Sequence, residues 1–230
     1  MTPELLTEKY PRLYHMAQLG SWPSIRKFGL LSTSALLDQY GIKGPVRDRL
    51  EKAQRPECVP LSSKGLPGAI LRDQKPMSDG ALLKCLQDGL KPENWYSLLN
   101  SMNFFWLSSA RVWRLLGARA YRDTPQMVLT IDTAGIVKAY GRNIRLSPIN
   151  SGSTIMNPRP RGKKTFLPIS EFPFEARAKT RARADNVVEL LIEHSVPDLV
   201  DHVLAVHEAK NKEIVREVWR SKNASDGDHP

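Results

Sequence analysis

The sequence predicts a single domain of the α+β class. Helical and strand-like segments occur in a mixed order, with strands concentrated after residue 103. This order is not the regular alternation that a parallel α/β sheet requires, and no internal repeat is visible. A chain of 230 residues with 41% hydrophobic residues is also long enough to fill one core.

The first hundred residues combine short helices with an irregular insertion. A serine cap and Pro23 begin one helix, and Gly29 ends it. Glycine and proline recur over residues 41–80, so we assign residues 41–100 to an insertion in the domain. The predicted elements are, in order, a helix (1–9), a strand (10–16), a helix (20–29), one or two helical turns (33–40) and two helices inside the insertion (79–90 and 92–100).

The rest of the chain is richer in strands. Apolar runs rich in β-branched and aromatic residues predict strands, and Ser108-Ser109 can cap a helix after the first of them. The domain is expected to end at residue 222, followed by a disordered tail over residues 223–230. The predicted elements are a strand (103–107), a helix (109–118), a strand (127–131), a strand pair or hairpin (135–149), a loop (150–164), a short strand (165–169), a strand (187–192), a helical turn (196–201), a strand (203–206) and a final helix (210–219).

Several classes of protein are not expected from the composition. No run of 18 apolar residues is present, so no membrane span is predicted. The first eight residues contain two acidic side chains and no apolar core, which is not typical of a secretory signal. Cys58 and Cys85 have neither metal-ligand nor disulfide-framework spacing, so we expect reduced thiols and a cytoplasmic location.

The net charge of +10 is unevenly distributed. Residues 142–183 contain ten lysines and arginines but only two acidic residues. Such a segment is either a solvated basic face or a surface that binds a polyanion, and the sequence alone leaves both interpretations open.

Glu189 is the most informative single residue. It is a lone carboxylate in the run Val187-Val188-Glu189-Leu190-Leu191-Ile192, which predicts a mostly buried strand. An unpaired carboxylate buried in such a strand is costly, so it requires a partner or a chemical role. The alternative is an edge-strand side chain that faces water. The cations in residues 177–183, just before the strand, favour chemistry on an anionic substrate.

His15 lies on the first predicted strand and is, taken alone, compatible with an ordinary residue at the edge of the core. The other histidines lack metal-ligand spacing. No Rossmann or Walker phosphate-binding motif and no Gly-x-Ser-x-Gly elbow is present. We therefore expect no metal.

Three segments together resemble the ADP-ribosyltransferase superfamily. Tyr14-His15-Met16, followed by Ser24-Ile25-Arg26-Lys27-Phe28-Gly29-Leu30-Leu31-Ser32, is similar to the first motif of that superfamily. Residues 103–109 resemble the strand of its second motif, although Phe105 or Trp106 stands where many members have Tyr or Ser. Residues 183–192 with Val196-Pro197 resemble the glutamate motif of bacterial toxins that ADP-ribosylate DNA or RNA. The chain also resembles an uncharacterised bacterial family, DUF7002, which shares this opening and the segment around Arg72.

This resemblance implies a split, bent β core with NAD⁺ bound as a substrate in the cleft. It implies that Glu189 is the catalytic residue, which stabilises the oxocarbenium-like transition state. The acceptor would be nucleic acid, with an antitoxin protein as a further partner of a toxin or phage-defence effector. The implied cofactor-binding residues are His15, Phe105 or Trp106, Ser108 and Arg72 (or else Arg47 or Arg49), and the implied acceptor-binding residues are Arg177, Lys179, Arg181 and Arg183.

Two other functions remain open at this point. An enzyme resembling the RNA 2′-phosphotransferases would share the fold and would require several basic residues around an RNA phosphate. A non-catalytic nucleic-acid-binding module could retain the same scaffold.

Overall fold

The chain forms an α+β domain built on one large antiparallel sheet, as the sequence predicts. A computed structural model describes residues 1–230. The helices are α1 (Pro3–Lys9), α2 (Trp22–Phe28), α3 (Thr33–Gln39), α4 (Gly44–Lys52), α5 (Asp79–Leu83), α6 (Pro92–Asn100), α7 (Ser109–Leu116), α8 (Thr133–Tyr140), α9 (Phe174–Ala178) and α10 (Arg183–Asn186). The strands are β1 (Arg12–Gln18), β2 (Leu30–Leu31), β3 (Val59–Leu61), β4 (Ala69–Leu71), β5 (Met102–Trp106), β6 (Gln126–Asp132), β7 (Ile144–Ser147), β8 (Leu167–Pro168), β9 (Glu189–Glu193), β10 (Ser195–Val196), β11 (Val203–Lys210) and β12 (Glu213–Arg220).

The eight-stranded sheet has the order β12-β11-β6-β1-β5-β9-β7-β8 and divides into two halves. Strand β1 pairs with β6 along its whole length, from Arg12↔Asp132 to Gln18↔Gln126. On its other side, β1 pairs with β5 only at Tyr14↔Trp106. The half-sheets β12-β11-β6-β1 and β5-β9-β7-β8 are therefore joined by a single pair of residues, and they separate on one side of it.

Helices cover both faces of the sheet. The largest core cluster lies under α1, α2 and α8, and it takes side chains such as Leu13, Phe105 and Leu190 from the sheet. On the opposite face, α7 packs over Tyr14 and Val128, and α6 lies over Leu191. None of the helices is both long and apolar enough to span a bilayer.

The opening of the chain follows the expected local rules. Thr2 caps α1 by accepting a hydrogen bond from the backbone N–H of Leu5 at 3.2 Å. Helix α2 has a proline in its first turn and ends at Gly29. The hydroxyl of Ser32 accepts from the backbone N–H of Ala35 at 3.2 Å, which begins α3. The predicted helices in this region are thus confirmed.

Residues 41–80 contain more regular structure than the sequence predicts. They include α4 and the β3–β4 hairpin, which share a small core with α3. Buried Arg55 holds this unit together by donating to the backbone oxygen of Arg72 at 3.0 Å and to Oδ1 of Asn100 at 2.9 Å. Because the guanidinium N–H groups of Arg55 already donate to acceptors within the domain, we regard Arg55 as a structural residue.

Two predicted elements in the second half are wrong. The expected hairpin over residues 135–149 is helix α8 followed by β7, and the side chain of Asp132 caps α8 at the backbone N–H of Gly135 at 2.9 Å. The expected final helix over residues 210–219 is the edge strand β12. Its Trp219 pairs with Val206 across the ladder and packs 5.2 Å from the ring of Trp22, contacts that a helix would not provide.

We expected residues 223–230 to be disordered, but the segment is anchored to the sheet. The carboxylate of Asp228 is 3% exposed and forms an ion pair with Arg12 of β1. The same carboxylate accepts hydrogen bonds from the backbone N–H of Ser225 at 2.8 Å and from its hydroxyl at 3.0 Å. The tail therefore closes over the start of β1.

Replacing Asp228 with Ala should lower the free energy of unfolding by about 1–2 kcal/mol. The effect is moderate because the carboxylate of Asp228 is buried but its partner Arg12 is one-third exposed to solvent. Urea denaturation would measure the change. Asp226→Ala is the matched control, since Asp226 is an exposed carboxylate in the same segment. Equal stability of the two variants would contradict an anchoring role for Asp228.

Candidate functional site

The candidate site lies where the two half-sheets separate. His15 directly follows Tyr14, the residue that joins β1 to β5. Its imidazole Nδ1 lies 2.8 Å from the backbone oxygen of Phe104. The His15 side chain therefore contacts the β5 backbone just beyond the point where the main-chain pairing of β1 with β5 ends. The ring also lies 5.8 Å from that of Phe105, which packs beneath it.

The local environment fixes the protonation of His15. Burial, aided by the positive charge of Arg72, lowers its pKa to about 4 against the opposing effect of the hydrogen bond to Phe104. The imidazole is therefore neutral at pH 7. Because a carbonyl oxygen can only accept, Nδ1 carries the proton and Nε2 is left as a hydrogen-bond acceptor.

Glu189 lies across the gap on β9. Tyr14 pairs with Trp106, and Trp106 pairs with Glu189. With neighbouring strands about 4.8 Å apart, the Cα atoms of Tyr14 and Glu189 are roughly 10 Å apart. The carboxylate is 3% exposed, and each of its oxygens lies 3.2 Å from the backbone N–H of Ser151.

Burial raises the pKa of Glu189 to about 7, although the hydrogen bonds from Ser151 and the charges of Arg111 and Arg161 oppose this shift. The Ser151 hydroxyl beside it is buried and has no hydrogen-bond partner. A carboxylate that is poised near neutrality is typical of an acid–base or charge-stabilising group.

His15 and Glu189 line the same cavity. This Glu189 cavity has a volume of about 270 Å³ and is also lined by Phe104, Trp106 and Arg72. It continues into a second cavity of about 200 Å³, the β4 cavity, which lies between β1, α2 and β4 and shares His15 and Arg72 with the first. Because they share these lining residues, the two cavities form one cleft.

One of the two predicted aromatic residues faces this cleft. Trp106 is half-buried and lines the Glu189 cavity. Placing Phe105 in the cleft is wrong: its side chain is fully buried in the main core. Successive side chains of a strand point to opposite faces, so Phe104, which we did not predict, lies in the cleft together with Trp106.

Arg72 is the only one of the three predicted phosphate-binding arginines that lines the cleft. It contacts the side-chain oxygen of Gln126 and lies 5.3 Å from the ring of Tyr121. Arg47 instead pairs with Glu51 at 2.9 Å and with Asp38. Arg49 is exposed and lines neither cavity of the cleft.

Ser108 is not part of the cleft. It precedes the first turn of α7, and its side chain makes no capping hydrogen bond. It is half-buried and lines neither the Glu189 cavity nor the β4 cavity, because the chain leaves the sheet after Trp106.

The four predicted acceptor-binding cations have different positions. Arg181 and Arg177 line a cavity of about 530 Å³ beside the cleft, which we call the arginine cavity. Arg177 donates to the backbone oxygens of three residues at 2.8 to 3.2 Å, so its main role is structural. Lys179 and Arg183 are exposed and lie outside this cavity; Arg183 instead lies over the ring of Tyr10 at 5.6 Å.

Sequence reasoning missed the residues that hold Glu189. Ser151 and Arg161 lie in the long loop between β7 and β8, where we predicted only an irregular segment. Arg161 is 1% exposed and donates to the backbone oxygens of Ser151 at 2.8 Å and Ser153 at 2.9 Å. The one available signal was the cluster of two arginines and two lysines at residues 159–164 of that loop.

The opposite pKa shifts of Glu189 and His15 predict a specific pH dependence of stability. Glu189 keeps its proton up to about pH 7 in the fold but only to 4.5 when unfolded, so its contribution is lost as the pH rises from 4.5 to 7. His15 titrates at about 4 in the fold and at 6.5 when unfolded, so its contribution is lost as the pH falls from 6.5 to 4. The two effects oppose each other over most of this range.

Glu189→Gln removes only the first effect. The free energy of unfolding of the variant should therefore increase relative to the wild type between pH 4.5 and 7, by an amount on the order of 3 kcal/mol. Chemical denaturation at several pH values would measure this difference. Parallel pH profiles for the two proteins would contradict the raised pKa of Glu189.

Most of the chain matches one known protein family. The model of a family of unknown function, DUF7002, matches residues 11–203. This range includes β1 with His15, the cleft and β9 with Glu189. No curated protein matches the chain.

Proposed function

The chain belongs to the DUF7002 family, and from its cleft we propose that it is an NAD⁺-dependent mono-ADP-ribosyltransferase that modifies nucleic acid. The observation that supports this most strongly is the shared cavity of His15 and Glu189 at the point where the sheet splits. These two residues were selected from separate ends of the chain by their resemblance to one superfamily. Their meeting in one cavity is what a common substrate pocket requires.

The proposed reaction transfers the ADP-ribosyl group from nicotinamide to an acceptor. The bond between nicotinamide and ribose breaks, its electron pair leaves with nicotinamide, and positive charge develops on the ribose. Glu189 in its ionised form would stabilise this charge and accept a hydrogen bond from a ribose hydroxyl. The acceptor would then form the new bond to the ribose carbon and lose its proton, which Glu189 would receive.

The other cleft residues would bind and orient the substrate. Nε2 of neutral His15 is a free acceptor for a ribose hydroxyl. Phe104 and Trp106 offer flat apolar surfaces for the nicotinamide ring. Arg72 lines both cavities of the cleft and would contact the pyrophosphate. Holding the substrate in this way supplies much of the acceleration when the leaving group is already cationic.

The basic surroundings favour a nucleic-acid acceptor over a protein acceptor. The arginine cavity is lined by six arginines and one acidic residue, Asp185. Asp185 is itself paired with Arg111. Contacts between arginine and phosphate give affinity for nucleic acid with a strong dependence on salt.

Incubation with NAD⁺ labelled in the adenine ring tests the proposal. The protein is mixed separately with DNA, RNA and total cellular protein, and both free nicotinamide and label in each purified fraction are measured. We expect nicotinamide release and label in a nucleic-acid fraction. Label only in the protein fraction would overturn the choice of acceptor, and loss of a phosphate from RNA without label would favour a 2′-phosphotransferase. No nicotinamide release and no calorimetric heat with millimolar NAD⁺ would overturn the proposal.

A further inference from the structure

Beside the Glu189 cavity lies a fourth, larger cavity that is partly lined by apolar side chains. This aromatic cavity has a volume of about 680 Å³ and is lined by Trp106, Leu115, Tyr121 and Ile155. Its volume lies within the range of small-molecule pockets. It shares Trp106 and Tyr121 with the Glu189 cavity, so the two are continuous at one wall.

The aromatic cavity is also continuous with the arginine cavity. Both are lined by Arg111, Arg114, Ser153 and Ile155. The Glu189 cavity, the apolar residues of the aromatic cavity and the cations of the arginine cavity are therefore continuous with one another. This order of surfaces matches the chemistry of a nucleotide, in which a flat base is joined through a sugar to an anionic phosphate.

The six arginines of the arginine cavity fall into two groups. Arg111, Arg161 and Arg177 donate to backbone oxygens and hold the walls in place. The side chains of Arg114, Arg159 and Arg181 are exposed and make no hydrogen bond or ion pair within the chain. Three guanidinium groups are thus fixed in the wall, and three others are available for an anion.

Asn150 occupies the junction of these surfaces. It lines the Glu189 cavity, the aromatic cavity and the arginine cavity. Its side chain is exposed, and it directly precedes Ser151, whose backbone N–H binds Glu189. An amide side chain carries both a donor and an acceptor, which is the pair that recognises the edge of a base.

We infer that the aromatic cavity binds one unstacked base of a single-stranded nucleic acid, that Arg114, Arg159 and Arg181 bind its flanking phosphates, and that Asn150 determines which base is accepted. This inference deepens the proposed function and rests on it for the role of the bound nucleotide as the acceptor. A single strand fits better than a duplex because the cavity is a pocket that receives a base only when the base is out of its stack.

Binding of fluorescent single-stranded 12-mers of DNA and of RNA, measured by anisotropy without NAD⁺ at several salt concentrations, tests the inference. The double variant Arg114→Ala/Arg181→Ala should bind at least about 10-fold more weakly and should lower the salt slope by about 1.4. Lys138→Ala/Arg142→Ala is the matched control, because it also removes two exposed cations, but from α8 and the turn that follows it, which line none of these three cavities. An equal loss in both double variants would overturn a specific phosphate site.

A cavity-filling variant tests the base site separately from the phosphates. Ala118 lines the aromatic cavity but neither of its neighbours. Ala118→Phe should weaken binding of the 12-mers by about 10-fold while leaving inorganic polyphosphate binding unchanged. Circular dichroism would establish that the variant is folded. Unchanged 12-mer binding, or an equal loss for polyphosphate, would overturn the base site.

Asn150→Ala tests the assignment of base choice. The ratio of affinities among oligo-dT, oligo-dA and oligo-dC should change by about 10-fold, since one well-placed amide discriminates bases by that order. An unchanged ratio would remove Asn150 from recognition. If none of the 12-mers binds, the inference is overturned. If a 12-mer binds but no nicotinamide is released from NAD⁺, the nucleotide site is supported and the proposed transferase activity is overturned.

Discussion

Glu189→Gln should reduce nicotinamide release by at least about 10³-fold without unfolding the protein. The substitution keeps the size of the side chain and an oxygen that can accept from Ser151, but it removes the negative charge that would stabilise the ribose cation. Removal of one preorganised electrostatic group of this kind commonly costs 10²–10³ in rate, and loss of a general base adds to that loss. Nicotinamide release measured at saturating NAD⁺ would show the effect.

The matched control is Glu193→Gln, on the same strand as Glu189 but exposed to solvent. It should retain the activity of the wild type, and circular dichroism should show that both variants are folded. A loss of less than 10-fold in Glu189→Gln, with both variants folded, would exclude Glu189 as the charge-stabilising group. The pH dependence offers a further comparison, because activity that requires the ionised carboxylate should increase as the pH rises through about 7.

Gly29→Ala should destabilise the protein by at least about 4 kcal/mol. Gly29 adopts φ 73° and ψ −170°, a region that is almost restricted to glycine. A Cβ atom there would also overlap the backbone of Val196 and lie 2.7 Å from the carbonyl carbon of Pro197. Backbone atoms cannot move aside without displacing β10, so conformational strain and steric overlap add.

Thermal unfolding would measure this effect, which corresponds to a decrease of about 10 °C or more in Tm for a chain of this size. Gly20→Ala separates the two causes. Gly20 also has a positive φ, 83°, but nothing lies within 4 Å of the position of its Cβ. It should lose only about 1 kcal/mol. Similar losses for both variants would mean that the packing against Val196 and Pro197 contributes nothing.

Much of the sheet could be predicted because its central strands carry strong local signals. The apolar runs around Phe105, Leu129 and Leu190 predict β5, β6 and β9, and the structure confirms all three. Strands β6 and β9 are buried on both faces, whereas β5 is fully buried on one face only. The sequences of all three are nearly uninterrupted by charged residues. Burial on both faces also explains why a single carboxylate such as Glu189 is conspicuous.

The predictions of secondary structure were wrong where tertiary contacts override the preference indicated by the local sequence pattern. Strand β12 is an edge strand, and most of its residues are exposed, so its charged side chains resemble those of a surface helix. What makes it a strand is the ladder to β11, including the cross-strand pair of Arg216 with Glu208 at 2.8 Å. Such a partner cannot be identified from the segment itself. Phe105 was misassigned because the face of β5 that meets the cleft depends on register.

The candidate site was predictable only in part. His15, Arg72 and Glu189 were selected from motif resemblance, and all three line the cleft. The environment of Glu189 was not predictable, because it is produced by a loop nearly forty residues away in sequence, in which Ser151 contacts the carboxylate. Loop residues of this kind have no periodic pattern, and their positions are set by contacts with distant segments, such as the hydrogen bond from Thr154 N–H to the oxygen of Pro76 at 2.8 Å.

The single pair Tyr14↔Trp106 between the half-sheets has a mechanical consequence. Over the length of the cleft, the two halves are held together by their shared hydrophobic core and not by a main-chain ladder. A ligand that contacts both β1 and β9 would therefore add polar contacts across a gap that no backbone hydrogen bonds bridge. By mass action, its binding would stabilise the folded state in proportion to the logarithm of its concentration. Amide hydrogen exchange in β1 and β5 would then slow together when the cleft is filled, as though the two halves had become one cooperative unit.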